Sequence, residues 1–327
     1  MTDKPFKTID EQLNILKSRG LVIINESAAK RSLQNNGYYE IINGYKYPFL
    51  LNPSNDEEGY KPSASFENIY EFYQLDSYIR SAIIDSIEMF ENSFKQAVAY
   101  AIAENISEEL AEYSNPDNYV PGHINNHGNS DRDFLLRRIN TVSVLNTEPY
   151  KHYRETHDNI PPWILVKGLS LGNTIYLFSL LKDSSIKEKI IGRMMGFDPA
   201  IIPGIDDQFR IKQVFSDSLS LILDYRNLAA HGGRMYDHRS VKHQISIYSP
   251  LLYNNSYNTT SRTEFRNGKN RSSINALLSC FFAMENDDPY INLRTWLTTR
   301  LKMYNDKYPS DMNFIINKTE FVPNLGD

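Results

Sequence analysis

Apolar residues recur along this chain mostly at steps of three and four, the period of a helix buried along one face. The longest run starts at Phe66 and continues through Ile69, Phe72, Leu75, Ile79, Ile83, Ile87, Phe90, Phe94 and Val98. It predicts one helix, or a kinked pair, reaching about Asn105. A second run, Ile211, Val214, Phe215, Leu219, Ile222, Leu223, Leu228 and Ala229, predicts a helix from Phe209 to His231, stopped by Gly232–Gly233. Near the start, Ile9, Leu13 and Leu16 form a short stripe. Thr8 followed by Glu11 has the form of a capping box, and Gly20 marks the stop near Arg19. A further helix is expected from Glu26 to Asn35, ended by Asn36–Gly37.

Polar and proline-rich stretches divide the rest. Tyr38–Phe49 is aromatic and reads as a short helix or as extended chain, with Pro48 favouring an end there. Asn52–Ser65 and Tyr113–Ser130 read as loops, and Asp131–Thr156 as one helix or two. Pro161–Pro162 opens an apolar helical stretch from Trp163 to Leu169, with Trp163 expected in the core. Ser170–Thr174 is expected to break it, Gly172 making a close turn, before apolar Ile175–Leu181. Gly196–Gly204, with Pro199 and Pro203, is expected to be a loop, and Tyr248–Thr260 a set of turns. Helices are expected near Ser272–Met284 and Leu293–Tyr304, while the last dozen or so residues are expected to be poorly structured. With no repeat, long linker or strand–helix alternation, the fold class is all-α. The expected organisation is an N-terminal helical and aromatic segment over 1–65, a helical core over 66–245 and a C-terminal helical extension over 246–327.

Composition narrows the function. Hydrophobic residues make up 41% and charged residues 23% of the 327, a globular balance that can bury a core unaided. The lone Cys280 can form neither an intrachain disulfide nor a thiolate cluster, and reads as a small core or surface residue. The start is polar and no apolar run approaches a membrane span of roughly eighteen residues, so a cytoplasmic location off the membrane is expected. A net charge of −5 argues against general coating of nucleic acid but not against a local basic patch. Arg262, Arg266, Lys269 and Arg271, opposed by Glu264, are the densest such group; Arg137–Arg138 and Lys182–Lys189 are others. His123 and His127 have i,i+4 spacing, yet glycine, proline and asparagine surround them and no third ligand follows, so no metal site is expected. No glycine-rich nucleotide loop is present, and no cofactor is expected.

The chemistry of interest lies at the end of the second strong helix. Asn227 and His231 are one turn apart on one face, and Arg226 stands about 140° from His231 on an ideal helix, a gap its long side chain can span. A helix C-terminus favours protonated imidazole. Histidine carries protons near neutrality, guanidinium grips phosphate with two donors, and Asn227 can orient the imidazole or a substrate oxygen. Such a set suits RNA cleavage through the 2′-hydroxyl. The spacing alone describes equally well a helix-end histidine and a surface arginine beside a glycine cap. In the long helix, Asp76 and Arg80, and Glu91 and Lys95, are one turn apart and can pair, as surface pairs or as buried links; Glu88 lies in the same stretch.

Five ordered blocks resemble the abortive-infection (Abi) family of bacterial phage-defence proteins, within the HEPN superfamily of helical ribonucleases and RNA-binding domains. They are Lys4-Pro5-Phe6 with Thr8–Gln12 and Leu16–Leu21; Tyr38–Tyr39 with Asn43-Gly44-Tyr45 and Tyr47-Pro48-Phe49; Phe72, Asp76, Arg80, Ile87-Glu88, Glu91 and Lys95; Pro162–Trp163 with Leu169–Thr174; and Tyr225-Arg226-Asn227-Leu228-Ala229-Ala230-His231 with Arg234 and Arg239. Leu171 replaces a usual phenylalanine, Lys167 stands where an acidic residue is common, and Gly232 stands where many relatives carry a second polar residue. The resemblance implies a HEPN-like bundle with added terminal helices, frequently a homodimer, that halts phage growth as a metal-independent endoribonuclease. Arg226, Asn227 and His231 would be catalytic, Arg234 and Arg239 would hold phosphate, and Asp76, Arg80, Glu88, Glu91 and Lys95 would organise the adjacent helix. It also implies RNA as partner, whether host, phage or a small non-coding RNA. A non-catalytic RNA-binding protein and a protein-interaction platform remain the alternatives.

Overall fold

The computed structural model describes residues 5–323, and their regular structure is helical. The first part carries α1 (Ile9–Ser18), α2 (Glu26–Asn36), the long α3 (Phe66–Asn105) and α4 (Leu110–Tyr113). The middle carries α5 (Asp131–Ser143), α6 (Tyr150–His157), α7 (Pro162–Leu165), α8 (Leu171–Ser179), α9 (Ser184–Met195), α10 (Ile202–Phe209) and α11 (Ile211–Ala230). After it come α12 (Arg262–Arg266), α13 (Ile274–Phe282), α14 (Asp288–Lys307) and α15 (Met312–Thr319). Among the described residues, β-pairing is limited to isolated bridges such as Leu50–Tyr60 and Tyr119–Leu181.

Two units emerge, each assembled from separated stretches. The first comprises the chain to Ile83, Leu228–His238 and the chain from Arg294. Its helix ends follow local chemistry. Thr8 Oγ1 accepts from the Glu11 amide at 3.3 Å while Glu11 Oε2 accepts from the Thr8 amide at 2.7 Å, closing the capping box on α1. Asn25 caps α2 through the Ala28 amide at 3.0 Å, and Gly37, at φ +82°, ends it. Tyr38–Phe49 resolves into a wide π turn at Tyr39–Asn43 and a 3₁₀ turn at Tyr47–Phe49. The centre of this unit is aromatic. Phe72 meets Tyr236 at 4.7 Å and Tyr45 edge-on at 5.5 Å between ring centroids, and Phe314 closes on Tyr236 at 6.1 Å. Phe314 belongs to α15, whose end, to Thr319, is helical where the last dozen or so residues are expected to be poorly structured. Met312, Ile315 and Thr319 are buried there at helical spacing, too short a stripe to stand out in sequence. Of those last dozen or so, 324–327 lie outside the described residues, as does Lys4 of the first resemblance block.

The second unit comprises Ile84–Asn227 and Arg239–Leu293. Its core is a phenylalanine cluster: Phe94 lies 6.0 Å from Phe90, 5.9 Å from Phe178 and 6.0 Å from Phe215. Several expectations need correction here. Leu171–Thr174 does not interrupt a helix but begins α8. Ser170 Oγ accepts from the Asn173 amide at 3.3 Å, and Gly172 sits in that first turn rather than in a close turn. Gly196–Gly204 is not all loop, because Pro203 falls in the first turn of α10, where a missing amide hydrogen costs nothing. Arg210, at φ +53°, separates α10 from α11, so the helix expected from Phe209 starts at Ile211. Trp163 is 41% exposed: the single turn of α7 buries Pro162, Ile164 and Leu165, leaving the indole outward.

Candidate functional site

The end of α11 is built by a glycine pair. Gly233 donates its amide to the Leu228 carbonyl at 2.9 Å and Gly232 donates to Ala229 at 3.1 Å, the two bonds of a Schellman stop. Gly232 supplies the left-handed residue at φ +72°. Gly233 has a different reason to be glycine, since a β-carbon there would lie 2.2 Å from Leu228 Cδ1. This geometry makes His231 the residue that closes the helix, with its side chain exposed and no hydrogen bond from its ring among the described residues. In the last turns of the helix, Arg226 Nη1 lies 3.4 Å from Asn227 Oδ1, so the amide faces the guanidinium.

The chain after the stop is clamped from α3. Asp76, fully buried, accepts from the Tyr45 hydroxyl at 2.8 Å, the Met235 amide at 3.1 Å and the Tyr236 amide at 2.7 Å. Burial pushes the Asp76 pKa upward, and those donors with nearby Arg80 pull it back. Burial and the Asp76 carboxylate both raise the Tyr45 phenol, which therefore stays a donor. One turn along, Arg80 Nη1 donates to the carbonyls of Gly232 at 3.3 Å and Gly233 at 3.2 Å. Asp76 and Arg80 thus do not pair with each other; they hold successive pieces of the turn after His231. Arg234 reaches the Gly44 carbonyl at 2.7 Å, which the Tyr236 hydroxyl also approaches at 3.4 Å. Sequence reasoning missed Tyr45, Gly44, Met235 and Tyr236 as parts of this clamp. Their only common sequence signal is that the aromatic Asn43-Gly44-Tyr45 block and the stretch after Gly233 carry hydrogen-bonding groups between apolar residues.

The remaining expected residues divide between the units. His231, Arg234, Asp76 and Arg80 belong to the first; Arg226, Asn227, Arg239, Glu88, Glu91, Lys95, Trp163, Gly172 and the Arg262–Arg271 group belong to the second. Glu91 and Lys95 form an ion pair at 2.7 Å, mostly shielded from water, while Glu88 is exposed. Arg262 and Arg266 are exposed on α12, which Ser261 and Glu264 cap. Lys269 is held by Glu264 at 2.9 Å, and the Arg271 guanidinium lies 5.9 Å from the Phe265 ring centre, so half of the expected basic patch has internal partners. His123 and His127 are exposed, and no group of three metal-ligating side chains occurs among the described residues. Cys280 is buried, and that burial pushes its thiol up to about 12, which disfavours the thiolate.

These features define a class: an all-helical protein in which an Arg-Asn…His helix end is stopped by two glycines and clamped by an Asp–Arg pair on a long helix. The family described as Abi-like protein matches residues 31–237, more than half of the chain, and the chain belongs to that family. No curated protein and no solved structure matches it. No helix among the described residues is long and apolar enough to cross a membrane.

Proposed function

We propose that this chain is an abortive-infection, anti-phage defence protein that acts in the cytoplasm as a metal-independent HEPN-type endoribonuclease. In this reading the HEPN-like core spans 66–245, the flanking segments are additions, and the protein works as a homodimer on host or phage RNA. The observation that carries it is the exposed His231 at a fixed helix stop behind Arg226-Asn227, in a chain of the Abi-like family. His231 takes the proton of the 2′-hydroxyl, and the freed oxygen attacks the adjacent phosphorus. The bond to the 5′-oxygen breaks, and that oxygen receives a proton from the second protomer's imidazole, leaving a 2′,3′-cyclic phosphate. Proton transfer of this kind is worth about 10²–10⁴ in rate. Arg226 steadies the charge that develops on the phosphoryl oxygens, with Asn227 orienting its guanidinium, while Arg234, Arg239, Arg262 and Arg266 supply positive charge for the strand.

Gly232 favours a second reading, because it adds no proton carrier beside His231. In that reading the protein binds RNA, including a small non-coding RNA, without cutting it. The deciding experiment incubates labelled total and infected-cell RNA with purified protein and chelator, comparing the native chain with His231→Ala and Arg226→Ala. Products ending in cyclic phosphate, made only by the native protein, are expected. Binding without cleavage selects the second reading, and equal cleavage by all three removes Arg226 and His231 from the centre.

A further inference from the structure

A cavity of about 420 Å³ opens in the first unit, between the Tyr47–Ser65 stretch and the junction of α14 with α15. That volume lies within the range of about 300–1,000 Å³ typical of small-ligand sites. None of its walls comes from Leu228–His238, so a ligand can occupy it whether or not the protein cuts RNA. Four aromatic rings line it: Tyr47, Phe49, Tyr308 and Phe314. Phe314 is held by Phe72 at 6.3 Å and Tyr308 by Tyr304 at 5.2 Å, which makes a firm wall for a planar ring.

Two cations stand in the lining. Lys61 donates to the Pro48 carbonyl at 2.6 Å, leaving two of its three N–H groups for another acceptor. Lys307 pairs with Glu71 at 2.8 Å with both side chains well exposed, a contact of the weak surface kind that a phosphate can replace. Two polar residues of the lining, Asn68 and Asp311, sit with Tyr304 in a cluster. Asn68 is buried; its amide donates to Asp311 Oδ2 at 3.0 Å, and the Tyr304 hydroxyl lies 2.9 Å from both Asn68 Oδ1 and Asp311 Oδ2. The Ser310 hydroxyl also donates to Asp311 Oδ1 at 3.1 Å, and counting lone pairs against all these protons still leaves the cluster with spare acceptor capacity. It is matched by a ring edge that presents N–H groups.

We propose that this cavity binds a nucleoside 5′-monophosphate, its phosphate on Lys61 and Lys307, its base beside Tyr47 and Phe314, and an N–H edge on Asn68 and Asp311. Guanine presents two adjacent N–H donors to a carboxylate, so guanylate is the preferred ligand. The same chemistry is offered by a free nucleotide and by the 5′-phosphorylated end of an RNA.

Isothermal titration of the full-length protein with GMP, AMP, guanosine and inorganic phosphate tests this. GMP is expected to bind at least about tenfold more tightly than guanosine or phosphate alone, and more tightly than AMP. Lys61→Glu is expected to weaken GMP by about tenfold or more while leaving guanosine unchanged, and Ser63→Trp, which fills the cavity, to abolish binding. Thermal melts of both variants establish that they fold. No heat from millimolar GMP, equal affinity for AMP, or GMP binding untouched by either variant overturns the proposal. A 5′-phosphorylated trinucleotide beginning with guanosine that binds about tenfold tighter than GMP assigns the site to an RNA end; equal or weaker binding assigns it to the free nucleotide.

Discussion

Asp76 shows how much a single buried carboxylate can organise. Its oxygens receive one phenol and two backbone amides from segments more than 30 and more than 150 residues away in sequence. Asp76→Ala leaves those donors without an acceptor in a place water does not reach. A loss of about 3–5 kcal/mol in urea unfolding is expected. Asp76→Asn keeps one acceptor oxygen but turns an amide group toward donors, and about 1–3 kcal/mol is expected. A cost under half a kcal/mol for Asp76→Ala would show that the clamp is dispensable. Glycines divide more sharply. Gly233→Ala places a methyl 2.2 Å from the end of the Leu228 side chain and 3.1 Å from its carbonyl, so that side chain must move, whereas at Gly172 a methyl meets Leu223 Cδ1 at 3.7 Å, an ordinary contact. Gly172→Ala is therefore expected to be neutral or to stabilise by up to about 0.5 kcal/mol, read by the shift in the denaturation midpoint. The sequence makes the glycine stop after His231 legible, because turn chemistry is local. It does not reveal Asp76 as a clamp, since i,i+4 spacing with Arg80 reads as an ion pair and the true partners are remote.

Helix ends were the most legible elements for the same reason. The Thr8–Glu11 box is visible in four consecutive residues, and the structure forms it along with matching boxes at Ser130–Asp133 and Ser261–Glu264. The elements that escaped reading are those where proline looked like a breaker and served as a first-turn residue, as in α10, or where the buried stripe was three residues long, as in α15. The boxes also carry a pH signature. Backbone and hydroxyl bonds from the cap residue hold Glu11 and Asp133 below their ordinary range, and Lys269 followed by Ser261 brings Glu264 down to about 2. A carboxylate whose folded pKa is depressed stabilises the fold above its unfolded pKa, and loses that contribution as pH falls through the folded value. The end of α12 is thus expected to hold from neutrality to below pH 4 and to fray as pH approaches about 2. Amide exchange at Glu264 and Phe265 across the acid range reads this directly. Glu264→Gln is expected to raise exchange at neutral pH and flatten the acid dependence; an unchanged profile would mean the box does not govern this end.

At the scale of the whole molecule, hydropathy gave the all-helical class but not the grouping of segments, because a unit made of the first 83 residues, a short piece after α11 and the chain beyond Arg294 leaves no mark in any local window. Family likeness supplied what periodicity could not, setting the Arg226–His231 spacing, which chance alone would produce about once in such a chain, in a family context worth testing. The proposed chemistry then depends on number. One chain brings one His231, and Gly232 adds no second proton carrier, so the proposed mechanism draws its acid and base from two protomers. Mixing native protein with His231→Ala, under conditions that exchange subunits, separates the possibilities. If both imidazoles are needed, only dimers with two native chains cut, and an equal mixture retains about a quarter of the native rate by random pairing. If each protomer acts alone, the mixture retains about half. Light scattering tests for the dimer and capture of an untagged chain by a tagged one tests its exchange beforehand, and cleavage of a labelled RNA across mixing ratios gives the curve. A quadratic fall supports the shared cleft. A linear one retains His231 while replacing the second imidazole with some other proton donor, whose ionisation, away from the imidazole range, the pH–rate profile of the native enzyme would report.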